Sequence, residues 1–425
     1  LGGQTVSVTA DNSAMVASTV ITGPDGTVEI SVTSQTAGIS TVTASINNSS
    51  LSRDVTFVAD VRTAQIADLV VIKDGSEADG STANTLRARV TDAFGNALAG
   101  QTVSVLADNG ATTAPTVITE PDGTVEISVT SQTAGVSTVT ASINSSSLSR
   151  NVTFVADVRT AQIAVLEVTQ DYSVADGSTA NTLRARVTDA FGNTLAGQTV
   201  SVTAGNGATV APTAITGPDG TVEISVTSQT AGISTVTATI NSSSQSRDVT
   251  FIADASTAQI ADLVVIKDGS EADGSTENTL RVRVTDAFGN TLGGQTVSVL
   301  ADNGATTAPM VITEPDGTVE ISVTSQTAGT STVTASINSS SLSRNVTFVA
   351  DVRTAQIADL VVIKDGSEAD GSTENTLRAR VTDAFGNALA GQTVSVLADN
   401  GATVAPTVTT QPDGTVEISV TSQTA

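Results

Sequence analysis

A single period governs this chain. The segment Gly-Gln-Thr-Val-Ser-Val recurs with its glutamine at Gln4, Gln101, Gln198, Gln295 and Gln392, 97 residues apart each time, with no insertion or deletion. A fixed period of this length is the signature of a tandem array of small domains, because about 100 residues suffice for one independent hydrophobic core. It also constrains function. Near-identical copies cannot each hold a unique active site, whereas an array of them sets a length and a spacing. The period divides the chain into a partial copy at 1–63, full copies at 64–160, 161–257 and 258–354, and a second partial copy at 355–425. The first partial copy lacks its opening strands and the last lacks its closing strands, so the expectation is a slice of a longer polypeptide.

One copy suffices to read the fold. In Ala64–Thr160, Ile66 to Lys73 is an apolar run, and Thr85 to Thr91 alternates with Leu86, Ala88 and Val90 on one face and Arg87 and Arg89 on the other. Period two marks a strand with one buried face. Thr102–Leu106, Thr116–Thr119, Thr124–Thr130, Ser137–Ile143 and Leu148–Val155 read as further short strands. They are separated by Asp-Gly, Asp-Asn-Gly and Pro-Asp-Gly turn signals. About seven strands with no helical periodicity predict an all-β fold, an immunoglobulin-like β-sandwich in each copy. The chain has no cysteine and no tryptophan. Its core must therefore be aliphatic, with Val152 and Phe154 inward and Phe94 folded back as a plug over the core end. The linker Ala156–Ala161 lacks Gly and Pro and is expected to run straight into the next copy. That predicts an extended rod in which each copy adds roughly 35–45 Å. Mechanical load is expected to fall on hydrogen bonds between the first and last strands.

Chemistry is sparse. Histidine and cysteine are both absent, so no catalytic triad is available. The only lysines are Lys73, Lys267 and Lys364, and the third copy has Gln170 in their place, which leaves neither repeated Ser–Lys catalysis nor a Lys–Asn crosslink a consistent residue. No catalytic, cofactor-binding or metal residue is assigned, and the chain is not expected to be an enzyme. Asp74, Asp79, Asp92, Asp122 and Asp157 fall in turns or the linker. Two readings of them stand: hard oxygen ligands gathered around interdomain calcium, or caps bonded to nearby backbone. Asn47-Asn48-Ser49 and Asn144-Ser145-Ser146 match glycosylation acceptors within serine-rich turns. The net charge of −25 is spread along the chain and no basic patch opposes it, which argues against nucleic-acid partners.

The segments Ala78–Asn96, ending Thr-Asp-Ala-Phe-Gly-Asn, and Pro121–Gly135, Pro-Asp-Gly-Thr-Val-Glu-Ile-Ser-Val-Thr-Ser-Gln-Thr-Ala-Gly, resemble the group-1 bacterial Ig-like domain. Such domains form the repeated stalks of intimin- and invasin-type adhesins, the inverse autotransporters. The resemblance covers the whole chain. It implies a bacterial cell-surface stalk, extracellular, anchored in the outer membrane through a region outside this chain. The stalk would project a distal domain toward a host or neighbouring cell in adhesion or biofilm formation. Two other roles remain open at this point: self-association of the repeats into a filament or coat, and decoration of a phage tail or surface layer. No small-molecule substrate is implied.

Overall fold

The structure is a computed structural model describing every residue from Leu1 to Ala425. It is nearly all β, and the sheets follow the sequence period. In the second copy the strands are β1 (Gln65–Lys73), β2 (Ser76–Glu77), β3 (Asn84–Thr91), β4 (Thr102–Ala107), β5 (Thr112–Thr113), β6 (Thr116–Ile118), β7 (Thr124–Thr130), β8 (Gly135–Ile143) and β9 (Ser146–Val155). They form a four-stranded sheet of order β5-β7-β3-β1 and a five-stranded sheet of order β6-β4-β8-β9-β2. The same sheets recur in the third and fourth copies.

The alternation read from sequence becomes the packing. Leu86, Ala88 and Val90 of β3 lie inward opposite Ile127 and Val125 of β7, and Val139, Ala141, Val152 and Phe154 face them from the other sheet. The resulting core holds 17 buried apolar residues, and equivalent clusters of 17 occupy the third and fourth copies. The buried residues of each cluster come from one copy, and the preceding copy adds a single partly buried alanine to it: Ala59, Ala156 and Ala253 in turn. Each copy therefore buries its own apolar surface, the dominant folding force, and the array is a series of immunoglobulin-like sandwiches joined head to tail.

Ile66 and Leu69 of β1 are 5% and 0% exposed, but their counterparts Ile357 and Leu360 are 58% and 56% exposed. In a full copy β1 packs against β9 and β8, and residues 355–425 include no counterpart of either strand.

The structure corrects three details of the sequence reading. The two-residue strands β2 and β5 join the seven expected ones. The linker is not straight: it forms one turn of 3₁₀ helix at Val158–Thr160, capped by the Asp157 carboxylate. And β1 and β9 form no backbone ladder with each other, because they lie in different sheets; instead the short β2 runs parallel to the end of β9, pairing Ser76 with Phe154 and Glu77 with Val155. Asn84, fully buried, locks this pair by accepting from the Ser76 amide at 3.0 Å and donating to the Thr153 carbonyl at 2.9 Å.

The outer edge of β1 is closed by the β8–β9 turn. Asn144 Nδ2 donates to the Ala64 carbonyl at 3.0 Å, and the Ile66 amide donates to Ser146 Oγ at 3.1 Å. Covering an edge in this way protects against pairing with other chains. It also commits the Asn144 amide, the acceptor residue of the Asn144-Ser145-Ser146 triplet, to holding the sandwich shut.

Candidate functional site

The most elaborate polar arrangement in the molecule is the joint between copies, formed four times. It is built on the turn Asp92–Asn96, which follows β3. The Asp92 amide donates to the Asn96 carbonyl at 3.0 Å, and the Gly95 amide to the Asp92 carbonyl at 3.1 Å. Gly95 has φ +89, a left-handed conformation for which glycine is suited. The tight turn aims two side chains, Asp92 and Asn96, back toward the preceding copy.

Asp92 is buried and saturated. Its Oδ1 accepts from the Phe94 and Asn96 amides, both at 2.9 Å, and its Oδ2 accepts from Asn96 Nδ2 at 2.8 Å and from the amide of Asp60, in the preceding linker, at 3.2 Å. Burial disfavours its charge, but the donors from Asn96, Asp60 and Phe94 outweigh it and hold the carboxyl below the ordinary carboxylate range. Asn96 makes the direct contact between sandwiches. Its Nδ2 donates to the Gln35 carbonyl and its Oδ1 accepts from the Ala37 amide, both at 2.8 Å. Both partners belong to the Ser-Gln-Thr-Ala turn of the previous copy.

The same atoms meet at the other joints. Asn193 bonds Gln132 and Ala134, Asn290 bonds Gln229 and Ala231, and Asn387 bonds Gln326 and Ala328, at 2.8–2.9 Å. The amides of Asp157, Asp254 and Asp351 donate to Asp189, Asp286 and Asp383 at 3.1–3.2 Å. Thr160 Oγ1 adds a tie, bonding the Asp157 carbonyl at 3.1 Å while accepting from the Ala190 amide at 3.2 Å. Every joint is thus a set of directional bonds from linker and turn.

Phe94 does not plug its own core. It is 60% exposed and stands at the joint, where it lines a cleft of about 80 Å³ together with Phe57, Val58 and Gln35 of the preceding copy. The tight turn that lets Asp92 and Asn96 face backward carries Phe94 outward with them.

The five candidate calcium ligands are not brought together. No three acidic side chains converge closely enough to hold a metal ion. Asp74 accepts from the Gly75 and Thr153 amides, Asp79 from Ser81 and Thr82, Asp122 from Thr124, and Asp157 from the Arg159 amide. For Asp79 these bonds, the Thr82 hydroxyl foremost, pull the carboxyl far below its usual range. The aspartates serve as backbone caps, fixing turns that lack other partners. Lys73 is an exposed strand end whose Nζ donates to the Ala83 carbonyl at 3.0 Å. A cleft of about 410 Å³ on the second copy is open to solvent and lined by Asp68, Val70, Arg87, Arg89, Asp122 and Thr124.

Sequence reading found the Asp92–Asn96 turn but not its task. The signal available was a long-range one: Asn96, Asn193, Asn290 and Asn387 hold constant register with a Ser-Gln-Thr-Ala segment 59–62 residues earlier, and the asparagine's bond to Asp92 within the turn gives no sign of it.

The model of the bacterial Ig-like domain (group 1) matches residues 66–155, 163–252, 260–349 and 357–425. The chain is 33% identical over 432 residues to the inverse autotransporter adhesin YeeJ of Escherichia coli (strain K12), a match covering 94% of this chain and 18% of that protein. Among solved structures, it is similar to invasin, described as a bacterial integrin-binding protein, with 24% identity, a TM-score of 0.43, and coverage of 84% of this chain and 74% of that one. InvD of Yersinia pseudotuberculosis aligns with 16% identity and a TM-score of 0.43, covering 68% of this chain and 98% of that one.

Proposed function

The chain belongs to the bacterial Ig-like domain (group 1) family, and on that footing we propose that it is a stalk segment of a bacterial cell-surface adhesin. In this reading it stands on the extracellular side of the outer membrane. It holds a distal binding domain away from the cell, in the service of adhesion or biofilm formation, and copy number sets its reach. The units are those of the sequence period, 64–160, 161–257 and 258–354, flanked by the partial units 1–63 and 355–425. The chain transmits position and force and turns over no substrate.

One observation carries the proposal: the joint. A string of domains meant only to be present needs no fixed contact between neighbours, and a flexible linker would serve. Here four successive joints repeat the same bonds from Asn96, Asn193, Asn290 and Asn387. Repeating one fixed joint turns a chain of beads into a spacer of defined length. The likeness to the inverse autotransporter adhesin supports the cellular setting, although this chain spans about a fifth of that protein's length.

In-register deletion of residues 161–257 tests it. Small-angle scattering should show the maximum dimension falling by one copy, roughly 35–45 Å, with the β-sheet circular dichroism per residue unchanged. In a cell displaying the full-length protein, the same deletion should leave surface display intact and shorten reach. A compact particle whose dimension barely changes, or loss of display on removing one copy, would refute the stalk reading.

A further inference from the structure

The four joints share the Asp–Asn bonds, but they differ in one element. At the joint after the second copy, the linker arginine Arg159 reaches back onto the sandwich it has just left. Its guanidinium pairs with Glu77 on β2, bonds Asp157 Oδ1 through Nε at 3.0 Å and lies 4.0 Å from Asp79. The joint after the fourth copy repeats this strap with Arg353 against Glu271, Asp351 and Asp273. In both, one cation sits among three carboxylates and ties the 3₁₀ turn to the upstream sandwich.

The joint after the third copy has lost both ends of the strap. Ser256 stands in place of the arginine and Val174 in place of the glutamate. Ser256 Oγ bonds only Asp254 within its own turn, at 2.6 Å. Asp157 and Asp351 are buried under their arginines, whereas Asp254 is half-exposed. The carboxylates of Asp254 and Asp176, which a guanidinium neutralises at the other two joints, here act on each other as like charges. The turn stays fastened downstream, through Asp286 and through Thr257, whose Oγ1 accepts from the Ala287 amide at 3.2 Å, but it has no side-chain tie upstream.

We infer that the joint at Asp254 is a compliant point beside the strapped joints at Asp157 and Asp351, a bend position built into the rod by replacing one glutamate–arginine pair. The inference rests on the stalk reading only for its purpose; the difference between joints is a property of the isolated chain. The arginine side chain is 65% exposed and the glutamate 32%. The strap is therefore salt-sensitive, effective at low ionic strength and screened at 1 M, where the Debye length is about 3 Å.

The absence of cysteine lets each joint be labelled alone. Thr102, Thr199, Thr296 and Thr393 are equivalent, exposed and free of side-chain bonds. Cysteines at 102 and 199 span the strapped joint at Asp157, and cysteines at 199 and 296 span the joint at Asp254. In electron–electron double resonance on the full chain at about 10 mM salt, the 199–296 distance distribution should be at least about 1.5-fold wider than the 102–199 distribution. At 1 M salt the two should converge. Arg159→Ser should widen the first, and Val174→Glu with Ser256→Arg should narrow the second. Equal widths at low salt, or a double variant that folds and leaves the 199–296 width unchanged, would overturn the inference. The salt comparison on the unsubstituted linkers decides the matter even if a variant misfolds. Failure here with the deletion result intact would refute the compliant joint and leave the stalk reading standing.

Discussion

Replacing Asn193 by alanine isolates the joint. The side chain makes two bonds across it, to the Ala134 amide at 2.8 Å and the Gln132 carbonyl at 2.9 Å, and one to Asp189 within its own copy at 2.8 Å. Each neutral bond contributes about 0.5–1.5 kcal/mol net of the water it displaces. Ala134 and Gln132 are both within reach of solvent, so the lower half of the penalty for an unpaired group applies. The two cross-joint bonds together are then worth about 2 kcal/mol, equivalent to about 30-fold in the opening equilibrium. Amide hydrogen exchange reads this directly, because the Ala134 N–H has its partner on the other side of the joint. In Asn193→Ala, exchange at Ala134 should quicken by about 30-fold or more. The amide of Val129, inside the β3–β7 ladder, should be unaffected, since both cores remain packed. Asn193→Asp is the informative control. It retains an oxygen acceptor for Ala134 but removes the donor and sets a second carboxylate beside buried Asp189, so protection at Ala134 should be lost at least as fully. If Ala134 exchanges at the unsubstituted rate in Asn193→Ala, the joint is not held by this asparagine, and the account of a fixed spacing fails.

Three further outcomes follow from particular residues. Val152, with no exposed surface, lies between the sheets; Val152→Asp should cost at least about 4 kcal/mol and unfold the second copy alone, seen as one lost transition in calorimetry while the third and fourth copies melt nearly as before. Gly123 has φ +76, and a Cβ there would sit 2.7 Å from the Val90 carbonyl oxygen; Gly123→Ala should destabilise its copy by more than about 2 kcal/mol in denaturant titration, combining a left-handed alanine with a backbone clash. The carboxyls of Asp79, Asp92 and Asp122 are held low by hydrogen bonds in the folded chain; their contribution is therefore complete above the ordinary carboxylate value of about 3.9 and is lost as pH falls through the depressed values, so the melting temperature should be level from about pH 5 to 8 and drop below about pH 4.

The third copy shows the limits of reading one module as representative. It carries Tyr172 at φ +61 where the second, fourth and fifth copies have glycine at φ +74 to +77. It also carries Val174 and Ser256 in place of a charged pair. Taken along the chain, these are three separate changes, the last two 82 positions apart. In space, Val174 and Ser256 are the two ends of a single missing contact.

That contrast separates what the sequence alone determined from what needed the tertiary structure. Strand positions, the inward faces of β3, β7, β8 and β9 and the tandem repetition of Ig-like sandwiches were all legible. They depend on period-two alternation and turn chemistry, which act between residues a few positions apart, and on a 97-residue period visible without any structure. The parallel strand Ser76–Glu77, the buried Asn84 bridge, the outward Phe94 and the asparagine at each joint were not legible. Each is decided by a partner 36 to 78 residues away, and a polar residue in a turn has the same local sequence whether it faces water or the neighbouring sandwich. Only the folded chain shows which turns meet another copy, because that depends on how the ends of two finished sandwiches are brought together by the linker.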